Sequence, residues 1–196
     1  LIDNSDATVV IYQSEFQHYV DEIKHQLPDV KHWLVVDDGK ASSYEDMANS
    51  GDGSAPGIKH SADDMLFLYT GGTTGMPKGV MWRHDDLFQV LGAGGNARLG
   101  TPPCKDLEEL LERLKANPRT VNLPLPPIMH GTGLLSAVGA MAAGGTCITL
   151  TSRSFEPELA LENITKHKVT QVTIVGDAFA RPMLEVLDEH PGKYDI

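Results

Sequence analysis

The 196-residue sequence predicts an α/β chain with mostly parallel sheets flanked by helices. Three observations predict this. Short β-branched runs recur along the chain, at residues 8–12, 33–36 and 169–175. Between them lie stretches whose apolar residues fall at helical spacing. The first elements read strand, helix, strand, and such a unit implies a parallel pair.

The first strand is residues 8–12. Ser14 can cap a helix, with Gln17 placed to complete a capping box. Phe16, Val20, Ile23 and Leu27 share one face of that helix, and Pro28 ends it. Trp33 to Val36 is the second strand. Residues 37–62 are rich in Gly, Ser, Asp and Pro and read as a surface connection. A short apolar run, residues 65–69, then reads as a buried strand.

Beyond residue 80, Asp85 and Asp86 suit a helix N-terminus, and an apolar run follows to Leu91. His84 beside these carboxylates is a weak metal candidate with no second ligand cluster, so no metal site is assigned. Residues 92–103 are a Gly/Pro-rich excursion. Asp106 caps the best-written helix, with Glu109 three residues on and Leu107, Leu110, Leu111 and Leu114 on one face. Asn117 and Pro118 stop it. Residues 131–150 are low in polarity, which raises a membrane span. Their many Gly and Ala residues and the missing Lys/Arg flanks favour a buried helix over 134–143, a turn at Gly144-Gly145 and a strand over 146–150. Glu156-Pro157 opens another helix, residues 169–175 form a strand, and a last helix carries Met183, Leu184 and Leu187.

Charge and composition bound the partners. A formal net charge of −11 argues against a nucleic acid or an anionic membrane surface. Cys104 and Cys147 lie far apart without zinc spacing, which reads as reduced thiols in the cytoplasm. No signal peptide or transmembrane segment is read, and the oligomeric state is open. The sequence starts without Met and stops without a terminating element, so it is expected to be an excerpt of a longer protein.

The chemistry concentrates in Tyr69-Thr70-Gly71-Gly72-Thr73-Thr74-Gly75-Met76-Pro77-Lys78-Gly79. Glycines let the backbone approach a ligand, and successive N–H groups form an anion-binding nest. Threonine hydroxyls add donors, and Lys78 adds a mobile positive charge. This is a loop for a polyphosphate. It is not the P-loop of NTPases, because Lys78 follows Pro77 and Gly79 stands where Mg²⁺ would want a hydroxyl. Pro77 also biases Met76 away from helical geometry, so the loop is not expected to run straight into a helix.

The stretch resembles the signature loop of the adenylate-forming enzymes, which include acyl-CoA synthetases, luciferases and peptide-synthetase adenylation domains. Two further segments look like the same family. One is the proline-rich run from Leu123 and Pro124 to His130-Gly131-Thr132-Gly133. The other is Val175-Gly176-Asp177-Ala178, at the carboxyl end of a strand, where open parallel sheets bind ligands. By itself the latter also reads as a strand-to-helix turn capped by Asp177. The phrasing is most similar to actinobacterial fatty-acyl or steroid-acid CoA ligases.

The resemblance implies part of the large N-terminal domain of such an enzyme. Residues 1–62 would belong to a first subdomain, and 63–196 would carry the phosphate loop and part of a second, with the C-terminal domain absent. It implies ATP, Mg²⁺ and CoA, and a carboxylic acid as substrate; a carrier protein in place of CoA and a non-catalytic nucleotide-binding relative are the alternatives. Lys78 and His130 are the implied catalytic residues. Thr70, Gly71, Gly72, Thr73, Thr74, Gly75 and Lys78 would hold the phosphates, and Gly176, Asp177 and Ala178 would lie along adenine.

Overall fold

A computed structural model describes residues 1–37, 42–71, 75–95, 100–116 and 119–196. The chain divides into two compact units, Leu1–Trp82 and Arg83–Ile196.

In the first unit β1 (Val9–Gln13) and β2 (His32–Val36) pair in parallel, from Val9 opposite His32 to Gln13 opposite Val36. The helix α1 (Gln17–Ile23) connects them. The capping box expected at Ser14 does not form. Residues Ser14–Phe16 make a 3-10 turn instead, Ser14 Oγ donates to Asp37 Oδ1, and the Gln17 amide oxygen accepts from the Tyr12 hydroxyl at 2.7 Å. The Gln17 side chain is therefore committed to β1 and cannot reach back to the helix start. Of the expected apolar face, Val20 is buried, whereas Phe16 is exposed.

The surface connection holds an element the sequence reading omitted, α2 (Ser43–Ala48). Ser42 is its N-cap, accepting from the Glu45 N–H at 3.3 Å. β3 (Met65–Thr70) and β4 (Lys78–Arg83) then form a separate two-stranded sheet. The phosphate-type loop thus runs from strand to strand and enters no helix, in keeping with the Pro77 argument.

In the second unit α3 (His84–Val90) carries the two aspartates in its first turn, and Arg83 pairs with Asp86 at 3.2 Å. α4 (Leu107–Ala116) starts where Asp106 accepts the Glu109 N–H at 2.8 Å. Glu109 reaches back to the Lys105 N–H at 2.9 Å and also pairs with Arg113. The four leucines do not all turn inward, since Leu107 and Leu111 are exposed. The expected stop at Asn117-Pro118 lies outside the described residues.

The Glu109 contacts have a pH signature. The Lys105 N–H, then Arg113, hold its carboxyl below the usual value of about 4.5. A depressed folded-state pKa adds stability above the unfolded value, and that stability is lost as pH falls. Glu109→Gln is therefore expected to narrow the difference in melting temperature between pH 7 and pH 3.5. An unchanged difference would show that these contacts carry no stability.

A three-stranded parallel sheet organises the rest, with β5 (Val121–Pro124) between β6 (Thr146–Cys147) and β7 (Gln171–Thr173). α5 (Gly131–Ala142) joins β5 to β6, α6 (Pro157–His167) joins β6 to β7, and α7 (Asp177–Glu189) follows. α5 starts three residues earlier than the glycines suggested, and both β6 and β7 are shorter than the apolar runs that announced them. The core is Leu123, Leu161, Ile164 and Val186, with Leu123 and Leu161 fully buried. Burying each such leucine stabilises the unit by roughly 1.5–3 kcal/mol. Among the described residues no helix is long and apolar enough to cross a membrane.

Candidate functional site

The loop between β3 and β4 is anchored by packing at its two feet. Tyr69 and Gly79 face each other: a Cβ on Gly79 would stand 3.1 Å from the Tyr69 ring. The Tyr69 hydroxyl donates to Asn4 Oδ1 at 2.7 Å, which fixes the ring. The aromatic and the last glycine of the motif are therefore structural partners. Thr70, Gly71, Gly75 and Lys78 are exposed, and added Cβ atoms at Gly71 and Gly75 would meet nothing. Gly72, Thr73 and Thr74 lie outside the described residues. Lys78, the first residue of β4, is exposed.

In the second unit the proline-rich run ends at His130, the N-cap of α5. The Thr132 N–H donates to His130 Nδ1 at 3.2 Å, and the His130 N–H donates to the Pro127 carbonyl at 2.8 Å. Nδ1 is thus an acceptor in the cap, and Nε2 is the ring nitrogen outside it. The exposed imidazole stands at a helix N-terminus, where anions are favoured. Gly133 is required beside it. A Cβ there would lie 2.5 Å from both the Pro126 and Pro127 carbonyl oxygens.

Gly176, Asp177 and Ala178 lead from β7 into α7. Gly176 has φ +61° and ψ −159°, a conformation open to glycine and strained for other residues. Gly176 is the N-cap, so Asp177 does not serve as the capping residue that a bare strand-to-helix turn suggested. All three residues are exposed.

Two recesses flank these segments. A cavity of about 440 Å³ is lined by Pro124, Pro126, Ile128, Leu150, Arg153 and Phe179. The Phe179 ring is held edge-on to Phe155, with centroids 4.8 Å apart. A second, more open groove of about 620 Å³ follows α5, lined by Thr132, Leu135, Ser136, Gly139 and Ala140 together with Thr173. Apart from Thr132, which stands in the proline-rich segment, these groove residues were not singled out in the sequence. Their spacing along one helical face was the available signal, and the small, mixed side chains concealed it. Among the described residues no three His, Cys, Asp or Glu side chains gather as metal ligands.

Comparison with known proteins extends the likeness beyond the loop. The profile of the AMP-binding enzyme family matches residues 1–195. The chain is 36% identical over 197 residues to the medium-chain acyl-CoA ligase Mig of Mycobacterium avium, covering 96% of this chain and 36% of that protein. It is 37% identical over 195 residues to a medium/long-chain-fatty-acid–CoA/3-oxocholest-4-en-26-oate–CoA ligase of Mycolicibacterium smegmatis, covering 95% of this chain and 35% of that one. The chain therefore spans about a third of the length of the curated relatives it matches. Its fold matches ATP-bound MatB from Rhodopseudomonas palustris with a TM-score of 0.68 at 20% identity, over 94% of this chain and 32% of that one. The chain belongs to the AMP-binding enzyme family.

Proposed function

We propose that the chain is part of an ATP-dependent carboxylic acid–CoA ligase, acting on a fatty or steroid-type acid. The observation that carries this reading is the loop between β3 and β4, with Lys78 at its exit, inside a chain matched to the family over residues 1–195. The relatives' named substrates support the acid class.

In the first step a carboxylate oxygen attacks the α-phosphorus of Mg·ATP. The bond to the bridging oxygen breaks, and pyrophosphate leaves. In the second step the CoA thiolate attacks the acyl carbon and expels AMP. Mg²⁺ enters as part of the nucleotide substrate. Such chemistry depends on positioning and charge neutralisation. Lys78 and the donors of residues 70–75 hold the β- and γ-phosphates as they become the leaving group. His130 faces the reacting carboxylate through Nε2, and the acid's chain lies in the groove along α5. Gly176, Asp177 and Ala178 offer an exposed, small-residue surface to adenine, a reading supported by the open backbone at Gly176. Both cysteines are free thiols, which fits a cytoplasmic setting.

The test is pyrophosphate exchange by the whole protein against fatty, aromatic and steroid acids. Acid-dependent exchange, followed by AMP release when CoA is added, is the expected result. ATP binding without exchange for any acid would overturn the reading in favour of a relative that binds nucleotide without catalysis.

A further inference from the structure

The loop between β3 and β4 is braced by a residue near the start of the chain that the ligase reading does not use. Asn4 lies in the 3-10 turn Asp3–Ser5, ahead of β1. The turn closes through other groups. The Ser5 N–H donates to the Leu1 carbonyl at 3.0 Å, the Asp6 N–H to the Asp3 carbonyl at 3.0 Å, and Ser5 Oγ to the Ile2 carbonyl at 2.9 Å. The Asn4 side chain takes no part in these bonds. Its Oδ1 accepts from the Tyr69 hydroxyl at 2.7 Å, across 65 residues of sequence. The bond joins the segment leading into β1 to β3, within the first unit.

Asn4 holds the end of the ring that meets residue 79. A Cβ on Gly79 would stand 3.1 Å from Tyr69 Cζ, 3.2 Å from Cε1 and 3.5 Å from the hydroxyl oxygen. All three atoms belong to the phenol end. Rotation about the Tyr69 Cα–Cβ bond swings that end furthest, and the hydrogen bond restrains the ring there. Lys78 precedes Gly79 in β4. One planar peptide unit joins them, so a displacement of Gly79 is passed on to Lys78.

We propose that Asn4 is a positioning residue for nucleotide binding: it holds the Tyr69 phenol against Gly79 and so sets where Lys78 stands. Asn4 meets no reacting atom and acts only through Tyr69. The inference rests on the ligase reading for the polyphosphate, and adds to it a residue far outside the signature loop.

The test is a double-substitution cycle in the whole protein. Calorimetric affinity for ATP is the first readout, and the KM values for ATP and for acid in pyrophosphate exchange are the second. Asn4→Ala removes the acceptor, and Tyr69→Phe removes the hydroxyl while keeping the ring. Each is expected to weaken ATP binding roughly threefold, toward the low end for one hydrogen bond because this one is exposed. The double variant is expected to bind no more weakly than either single variant, because both remove the same bond. KM for ATP rises and KM for acid stays. A merely structural role would instead lower the melting temperature and raise both KM values together, which would overturn the proposal. Unchanged ATP affinity in Asn4→Ala, or losses that multiply in the double variant, would also overturn it, and continued exchange would leave the ligase reading standing. No ATP binding by the unmodified protein would remove the loop's phosphate role and this proposal with it. The expected cycle without exchange for any acid would support Asn4 and remove the ligase reading.

Discussion

On the ligase reading, Lys78→Ala in the whole protein is expected to lower acid-dependent pyrophosphate exchange by about 10²–10³-fold, the loss typical of removing one preorganised group from a developing charge. Negative charge grows on the departing pyrophosphate, and Lys78 is the motif's cation. The side chain is exposed at the start of β4, so its removal leaves the fold intact, with a stability change within about 0.5 kcal/mol. Lys78→Arg keeps the charge and recovers part of the rate, but not all of it, because a planar fork replaces a compact ammonium. Exchange by the alanine variant within threefold of the unmodified protein would remove Lys78 from the mechanism.

Leu161→Ala is expected to destabilise the second unit by about 2–5 kcal/mol, read as a shift in the denaturant midpoint. Leu161 is fully buried and clusters with Leu123, Ile164 and Val186. The substitution leaves a space under β5, the strand that leads through the proline run to His130. Leu184→Ala on α7 is the matched control. That side chain is 59% exposed, so its loss costs little. Similar costs for the two substitutions would mean that this cluster is not the unit's core.

How far the sequence predicted the structure can be traced to individual residues. Val9 to Gln13, His32 to Val36 and the helix opened by Pro157 were legible because β-branched runs and first-turn proline act locally. Asp106 with Glu109 was legible for the same reason. Ser14 with Gln17 had the same spacing and failed, because Tyr12 and Asp37 compete for those side chains, and Asp37 is distant in the sequence. His130 was picked out as a site residue from the resemblance, but its Nδ1 contact with Thr132 was not, since no rule of spacing makes histidine a cap. The hydrogen-bonded chain Asn122–Ser136–Thr173 was invisible. It joins residues 14 and 37 positions apart, and a buried asparagine in a strand carries no periodic signal.

The contact between Tyr69 and Gly79 bears on how much order a ligand must impose. With a ring set against a bare backbone, the two feet of the loop are already held together in the free protein, so a ligand need not bring them together. Ordering a residue costs about 1–2 kcal/mol, so each position settled in advance leaves more of the contact energy as affinity. The tie acts like the clasp of a purse. On the ligase reading, a bulky side chain at residue 79 is therefore expected to weaken nucleotide binding by parting the two feet of the loop.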